Sequence, residues 1–167
     1  MQIYDVTTAR RSKIQVQINW SRELIFSVRQ TRFITERVLQ QRGVYCIYAK
    51  DYQFSYDLPE FLNKKWSGLV YIGSGWLNER LSHHLRYGKN NVLNDFLEDY
   101  NLACRFAAIA DDDEFIDFPR AVEAGLLGCF KGKFGKMPPA NRREEQVPDL
   151  SCDDFIMRES ANFSILK

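Results

Sequence analysis

Two short apolar segments bordered by glycines constrain the fold of this chain most strongly. Val44 to Tyr48 follows Gly43 directly, and Leu69 to Ile72 ends at the run Gly73-Ser74-Gly75. Short runs of branched and aromatic residues between turn formers are typical of buried strands. We therefore predict two strands here, with the glycine run breaking the second.

The segments that follow have the periodicity of helices. Leu77, Leu81 and Leu85 fall on one stripe of a helix predicted from Trp76 to Arg86, and this stripe is expected to face the core. Further helices are predicted at 31–41, 91–100 and 118–130, and a strand at 104–110. The order of these elements indicates a small α+β domain, in which a central antiparallel or mixed sheet is flanked by helices.

The remaining segments are predicted to decorate this domain. Alternating polarity from Ile14 to Ile18 predicts a strand that forms a hairpin with residues 23–28. Residues 1–42 are then a strand and helix extension packed on a core of 43–142. That core has an insertion at 51–67, and a tail of 143–167 includes a strand or short helix around Phe155. The length of 167 residues fits a single domain.

The net charge of +1 does not select a partner, but the charges are unevenly distributed. Residues 1–45 hold eight basic and three acidic side chains, and Asp111 to Glu114 forms an acidic block. A basic face can therefore coexist with near-neutral total charge, although ordinary solvated charge explains both clusters equally well.

The cysteines and the apolar runs predict a cellular compartment. The four cysteines form no C-x-x-C pair and have no histidine at zinc-ligand spacing, so reduced thiols are predicted. Neither a signal-peptide core nor an apolar run long enough to span a membrane is found in the sequence. We expect a cytoplasmic protein without membrane contact.

Glu123 is the most informative polar residue, because its sequence neighbours are almost wholly apolar. Leu126 and Leu127 share its helical face, so its carboxylate is expected on the core side or at the edge of a cleft. A buried carboxylate is costly unless a cation or a metal pairs with it. The alternative is an exposed glutamate on a narrow polar stripe with Arg120.

Arg80 and His84 lie four residues apart on the predicted helix and therefore point the same way. A guanidinium group can bind phosphate oxygens through two hydrogen bonds, and an imidazole can donate a hydrogen bond or move a proton. The pair is suited to hold a phosphodiester in a shared cleft. For each residue alone, an exposed surface position is the more common role.

Two tyrosines lie on the predicted strands, each in a short motif with a glycine: Gly43-Val44-Tyr45 and Tyr71-Ile72-Gly73. A strand tyrosine alone is usually a half-buried packing residue. As an ordered set over residues 43–142, however, the two motifs resemble the GIY-YIG nuclease superfamily. The set is completed by Arg80, His84, a helical Glu123 and a downstream Asn141. The insertion between the tyrosine motifs is more like the restriction-enzyme branch.

The resemblance implies a divalent-metal-dependent endonuclease that hydrolyses DNA phosphodiester bonds, and a restriction-type enzyme is one form of it. Glu123 is expected to be the sole protein ligand of one Mg²⁺ or Mn²⁺ ion, which suits magnesium because that ion keeps several waters. Arg80 is expected to stabilise charge on the phosphoryl oxygens. The expected partner is DNA, with a homodimer as one way to cut both strands.

The other residues of the motif have implied roles as well. Tyr71 is expected to hydrogen-bond the phosphate or a metal-bound water, and Asn141 to orient the site or contact the substrate backbone. Tyr45 orients or deprotonates the attacking water, but a phenol has a pKa of about 10. An imidazole titrates closer to neutrality, so His84 is an equally open candidate for the proton acceptor.

Basic side chains outside the motif are candidates for contacts to the nucleic-acid backbone, which supply affinity without reading sequence. They are Arg10, Arg11, Lys13, Lys131, Lys133 and Lys136. Solubility explains such surface charges equally well. The competing interpretation of the whole chain is a non-catalytic module on the same fold that binds nucleic acid or protein.

Overall fold

The computed structural model describes residues 13–27, 40–57, 64–85, 93–110, 117–141, 155–159 and 163–165. Within these ranges the chain forms eight strands and three helices. The strands are β1 Ile14–Ile18, β2 Leu24–Ile25, β3 Arg42–Ala49, β4 Phe54–Asp57, β5 Lys64–Ser67, β6 Leu69–Trp76, β7 Leu102–Ala108 and β8 Phe155–Glu159. The helices are α1 Leu77–Leu85, α2 Asn94–Asp99 and α3 Phe118–Phe134. Residues 31–39 of the predicted first helix lie outside the described ranges, as do Arg10 and Arg11.

Four strands form the main sheet, in the order β2-β7-β3-β6, and every neighbouring pair is antiparallel. Two smaller pairs accompany it: β4 with β5, antiparallel, and β1 with β8, parallel. The α+β class is therefore confirmed. Among the described helices, none is long and apolar enough to cross a membrane.

Side chains alternate along β3, so the main sheet has two apolar faces. Val44 and Cys46 belong to a core cluster with residues of α3, which we call the α3 face. Tyr45 and Ile47 belong to a second cluster with the leucines of α1, which we call the α1 face. Leu77, Leu81 and Leu85 are all buried there, as their helical spacing predicted.

Helix α3 is fixed at both ends by local capping. The side chain of Asp117 accepts a hydrogen bond from the backbone N–H of Arg120 at 3.2 Å, and it also pairs with Arg42 of β3 at 2.7 Å. Gly135 ends the helix at φ 76°, a left-handed conformation that glycine adopts without steric cost. The helix therefore starts beside the first residue of β3, and it runs four residues beyond the predicted end at 130.

The predicted hairpin between residues 14–18 and 23–28 is wrong. β1 pairs instead with β8 near the end of the chain, and β2 pairs with β7. Glu159 of β8 reinforces the first pairing, because it accepts hydrogen bonds from Trp20 Nε1 and from the backbone N–H of Ile165, both at 3.0 Å. Two distant pairings thus replace the local turn, and the strand predicted around Phe155 is present.

The predicted break of the second strand at its glycine run is also wrong, since β6 continues to Trp76. Gly75 has a φ of 123°, yet it stays paired with Gly43 of β3. A side chain at Gly43 is excluded by β7, because a Cβ there would lie 2.1 Å from the carbonyl oxygen of Ala107. The glycines let three strands approach closely and leave the pairing intact.

The cysteines are not all reduced. Cys46 and Cys104 are free and buried, whereas Cys129 on α3 is disulfide-bonded. The prediction of four reduced thiols is therefore wrong at Cys129. Because disulfides are rare in reducing compartments, the cysteines no longer support the expected cytoplasmic location.

Candidate active site

Four of the predicted site residues, Tyr45, Tyr71, Arg80 and His84, meet on the α1 face of the main sheet. The ring centroids of Tyr45 and Tyr71 are 5.9 Å apart, and the imidazole of His84 lies 5.7 Å from the first and 4.9 Å from the second. Tyr45 Oη and His84 Nε2 are joined by a hydrogen bond of 2.7 Å. The four residues thus form one contiguous group.

Gly73 is what allows the Tyr45 ring to take this position. Tyr45 and Gly73 are paired across β3 and β6, so their side-chain positions lie on the same face. A Cβ at Gly73 would lie 2.4 Å from Tyr45 Oη, 2.5 Å from Tyr45 Cζ and 2.7 Å from Tyr71 Cε1. Glycine therefore provides the space in which both rings pack beside His84.

The side chain of Arg80 passes over Gly75 toward Tyr45 and Tyr71. Its Cγ would be 3.3 Å from a Cβ at Gly75, so the stem of Arg80 packs over that backbone. Arg80 is exposed and lies one helical turn before the half-buried His84. Tyr45 has the largest effect on the pKa of Arg80 and raises it, and Tyr71 and Glu123 raise it further, whereas partial desolvation lowers it. A permanent positive charge therefore sits at the rim of the group.

Glu123 supplies the negative charge of the site from the other face of the sheet. It is 6% exposed and is the only buried charged side chain among the described residues. Ser74 Oγ donates a hydrogen bond to Glu123 Oε2 at 2.5 Å. Ser74 pairs with Val44 and therefore lies on the α3 face, between two glycines that face α1. The alternative of an exposed Glu123 on a polar stripe is excluded.

The charge of Glu123 also acts on the phenols across the strand. Burial raises the pKa of Tyr45 well above its ordinary value, with Tyr71 and Glu123 adding to the rise and Arg80 opposing it. Burial likewise raises the pKa of Tyr71, Glu123 raises it further, and Arg80 lowers it. Both tyrosines therefore keep their phenolic protons at neutral pH, and Arg80 is the cation that partly offsets this.

Asn141 binds the edge of β6 rather than the tyrosine group. Its Oδ1 accepts from the backbone N–H of Ile72 at 2.9 Å, and its Nδ2 donates to the carbonyl oxygen of Ile72 at 2.8 Å. The backbone N–H of Ala140 donates to the carbonyl oxygen of Val70 at 3.0 Å. Residues 140–141 thus act like a short additional strand that holds β6 next to Tyr71.

Four of the six basic candidates lie in the described ranges. Lys13, Lys131 and Lys136 are exposed. Lys133 is half-buried, with Nζ 5.2 Å from the centroid of the Phe134 ring. At 1.5 Å rise per residue, Lys131 lies roughly 12 Å along α3 from Glu123. Lys131 is therefore about two helical turns beyond Glu123 on α3.

Ser74 is the site residue that sequence reasoning missed, because the glycine run around it was interpreted as a strand break. The alternation of a continuous strand from Tyr71 would have placed Ser74 opposite the tyrosines, toward a helix that contains Glu123. Among the described residues, no group of three or more His, Cys, Asp or Glu side chains could together hold a metal ion. Of the predicted site residues, Glu123 is the one buried carboxylate among the described residues.

The chain matches no protein-family model, no curated protein and no solved structure.

Proposed function

We propose that this chain is a divalent-metal-dependent endonuclease of the GIY-YIG type that hydrolyses DNA phosphodiester bonds. The observation that carries the proposal is the placement of one buried carboxylate, Glu123, within electrostatic reach of Arg80 and of the hydrogen-bonded pair Tyr45 and His84. Metal-assisted hydrolysis of a phosphodiester uses a cation site, a positive charge for the phosphate and a proton acceptor. The candidates are Glu123 for the cation, Arg80 for the positive charge and His84 or Tyr45 for the proton acceptor, with Glu123 on the opposite face of the sheet from the other three.

The donor set at Glu123 fits a magnesium or manganese ion. These cations prefer oxygen ligands, and magnesium commonly binds one or two carboxylates while keeping several waters. Glu123 offers one carboxylate, which accepts a hydrogen bond from the hydroxyl of Ser74. A thiolate or a cluster of imidazoles, which zinc favours, is not part of this set. When bound, the cation supplies Lewis-acid polarisation of the phosphate and stabilises the departing oxygen.

Arg80 is suited to hold the phosphate that reacts. Its guanidinium is exposed, always charged and able to bind two phosphoryl oxygens at once. Packing of its stem over Gly75 orients it before substrate arrives, so little reorganisation is needed as charge develops. Tyr71 is half-buried beside it, and its neutral hydroxyl can donate a hydrogen bond to the same phosphate.

His84 is the better candidate for the proton acceptor. Tyr45 is fully buried, with 0% exposure, and its pKa is raised by that burial, so its phenol is a poor base and has no direct access to water. His84 is half-buried, and histidine is the side chain whose ordinary titration lies near neutral pH. The hydrogen bond of 2.7 Å to Tyr45 then fixes the orientation of the imidazole. Asn141 contributes by holding the strand that contains Tyr71.

A cleavage assay with matched variants tests the proposal. Supercoiled plasmid and linear DNA are incubated with the protein and Mg²⁺, then with EDTA. Glu123→Ala and Arg80→Ala are each expected to lower the rate by at least about 100-fold, the order seen when a group that stabilises transition-state charge is removed. Glu79→Ala is the control, because Glu79 is an exposed carboxylate next to Arg80 on the same helix.

Three outcomes distinguish the proposed endonuclease from a non-catalytic binding module. Metal-dependent cleavage that survives in Glu79→Ala and is lost in folded Glu123→Ala supports the enzyme. Unchanged cleavage by Glu123→Ala refutes it. Binding of DNA without cleavage, unaffected by Glu123→Ala and weakened steeply by salt, indicates the non-catalytic module instead. The plasmid also separates nicking from double-strand cutting, which a homodimer would favour.

A further inference from the structure

We propose that Ser74 is a positioning residue, whose hydroxyl holds the Glu123 carboxylate in the orientation in which it binds a divalent cation. This inference rests on the proposed nuclease function, because it assigns a role within the same site. The contact itself is direct: Ser74 Oγ donates to Glu123 Oε2 at 2.5 Å. The terminal torsion of a glutamate is broad. A short hydrogen bond from a fixed donor therefore favours one orientation of the carboxylate.

The donor is fixed because the strand beneath it is held at both edges. Ser74 pairs with Val44 of β3 on one side. On the other side, two residues earlier, the carboxamide of Asn141 binds both backbone groups of Ile72. A side chain on a strand secured in this way keeps its position more closely than one on a loop. The short side chain of serine adds only one rotatable bond before its hydroxyl.

The carboxylate, in contrast, needs such a partner. Glu123 reaches the site from a helix through three side-chain torsions, and ordering a side chain of this length costs conformational entropy. Because Glu123 is the only buried charged side chain among the described residues, we expect the affinity for a cation to depend on this carboxylate. Hydrogen-bonding partners of metal-binding side chains typically contribute about 10–100-fold to metal affinity. We expect Ser74 to contribute in that range.

A Mn²⁺ titration without nucleic acid tests this role independently of catalysis. The protein is titrated with Mn²⁺, and the free ion is measured by its electron paramagnetic resonance signal. Ser74→Ala is expected to raise the dissociation constant for Mn²⁺ by about 10–100-fold. Ser74→Thr keeps a hydroxyl on a β-branched residue that suits a strand, and it is expected to recover most of the affinity. Ser55→Ala, which alters an exposed serine of β4, is the control.

Thermal unfolding of each variant separates positioning from folding. If Ser74 only satisfies a buried carboxylate, Ser74→Ala lowers the melting temperature while the folded protein binds Mn²⁺ as tightly as wild type, and the inference is overturned. A loss of affinity that stably folded Ser74→Thr fails to recover also overturns it. If Ser74→Ala weakens Mn²⁺ binding as expected but the wild type cuts no DNA with Mg²⁺, the cation site stands and the proposed nuclease function fails.

Discussion

Replacing Gly73 by alanine tests the steric basis of the site. The Cβ of an alanine would lie 2.4 Å from Tyr45 Oη and 2.5 Å from Tyr45 Cζ, well inside van der Waals contact. Tyr45 has 0% exposure and packs against Tyr71 and His84, so its ring cannot simply swing into solvent. The ring or β6 must shift, and the hydrogen bond between Tyr45 and His84 is expected to be lost or lengthened.

The expected destabilisation follows from two opposing effects. Forcing an extra methyl group into a packed core costs about 1–3 kcal/mol. The backbone at Gly73 is not left-handed, so alanine also gains about 0.4–1 kcal/mol by restricting the unfolded chain. The net loss in the free energy of unfolding is about 1–2 kcal/mol. For a chain of 167 residues, this lowers the melting temperature by about 2–8 °C.

Gly132→Ala is the matched control, since the same methyl group there meets nothing within 4 Å. Gly132 is exposed on α3, where alanine is favoured over glycine by about 0.8–1 kcal/mol in helix propensity. Thermal unfolding followed by circular dichroism should therefore show a lower melting temperature for Gly73→Ala and an equal or higher one for Gly132→Ala. Equal stability of the two variants would refute the steric argument.

A double variant makes the test specific to Tyr45. Tyr45→Phe removes the oxygen that lies nearest to the added methyl group but leaves the ring carbon at 2.5 Å. The combination of Tyr45→Phe with Gly73→Ala is therefore expected to be less destabilised than the sum of the two single variants, because they share one contact. Strict additivity would show that the alanine clashes with something else. If the proposed function holds, cleavage by Gly73→Ala falls by about 100-fold, because small displacements of reacting groups are costly.

The other predictions concern single hydroxyl and amide groups and the pH. Tyr56→Phe is expected to leave the free energy of unfolding unchanged or to raise it by up to about 1 kcal/mol, because the buried Tyr56 hydroxyl has no hydrogen-bond partner among the described residues. Tyr45→Phe removes a hydroxyl that is hydrogen-bonded to His84, so it should lower the free energy of unfolding by about 0.5–1.5 kcal/mol. Urea titrations measure both changes. Asn141→Ala removes the carboxamide that binds the N–H and C=O of Ile72, and it is expected to lower the free energy of unfolding by about 1–3 kcal/mol for each group. A decrease under about 1 kcal/mol would contradict the role of Asn141 at the edge of β6. Burial raises the pKa of Tyr45, so the unfolded chain releases this phenolic proton at a lower pH than the folded chain does. The free energy of unfolding should therefore fall as the pH rises above about 10. A free energy of unfolding that stays constant between roughly pH 9 and 11.5 would refute this.

Local periodicity was enough to predict the elements that surround the site. The spacing of Leu77, Leu81 and Leu85 predicted α1 and its buried face, because a helix that packs on a sheet must repeat its apolar residues with the helical period. The apolar surroundings of Glu123 predicted its burial for the same reason. These features depend on residues a few positions apart, so the sequence contains them directly.

Long-range pairings were beyond the same reasoning. Alternation in Ile14–Ile18 shows that one face of a strand is buried, but it does not name the partner strand, and the partner begins at Phe155. A nearby segment was the simplest candidate, since sequential strands often pair. Asn141 was predicted as a site residue by position alone. Its actual bonds to Ile72 depend on where the chain returns after α3, which no local pattern specifies.

The glycine run was misinterpreted as a strand break, although its residues contact side chains on both faces of the sheet. Gly73 and Gly75 leave space on the α1 face, which is filled by the Tyr45 ring and the stem of Arg80. Ser74 lies between them and points the other way, to Glu123 on α3. Three consecutive residues of one strand therefore contact side chains on both faces of the sheet. Glycine looks like a strand breaker in sequence because it weakens a strand on its own. Here glycine is required because Tyr45 and Arg80 approach the backbone closely at Gly73 and Gly75. Pairing with β3 keeps this part of β6 in the strand conformation.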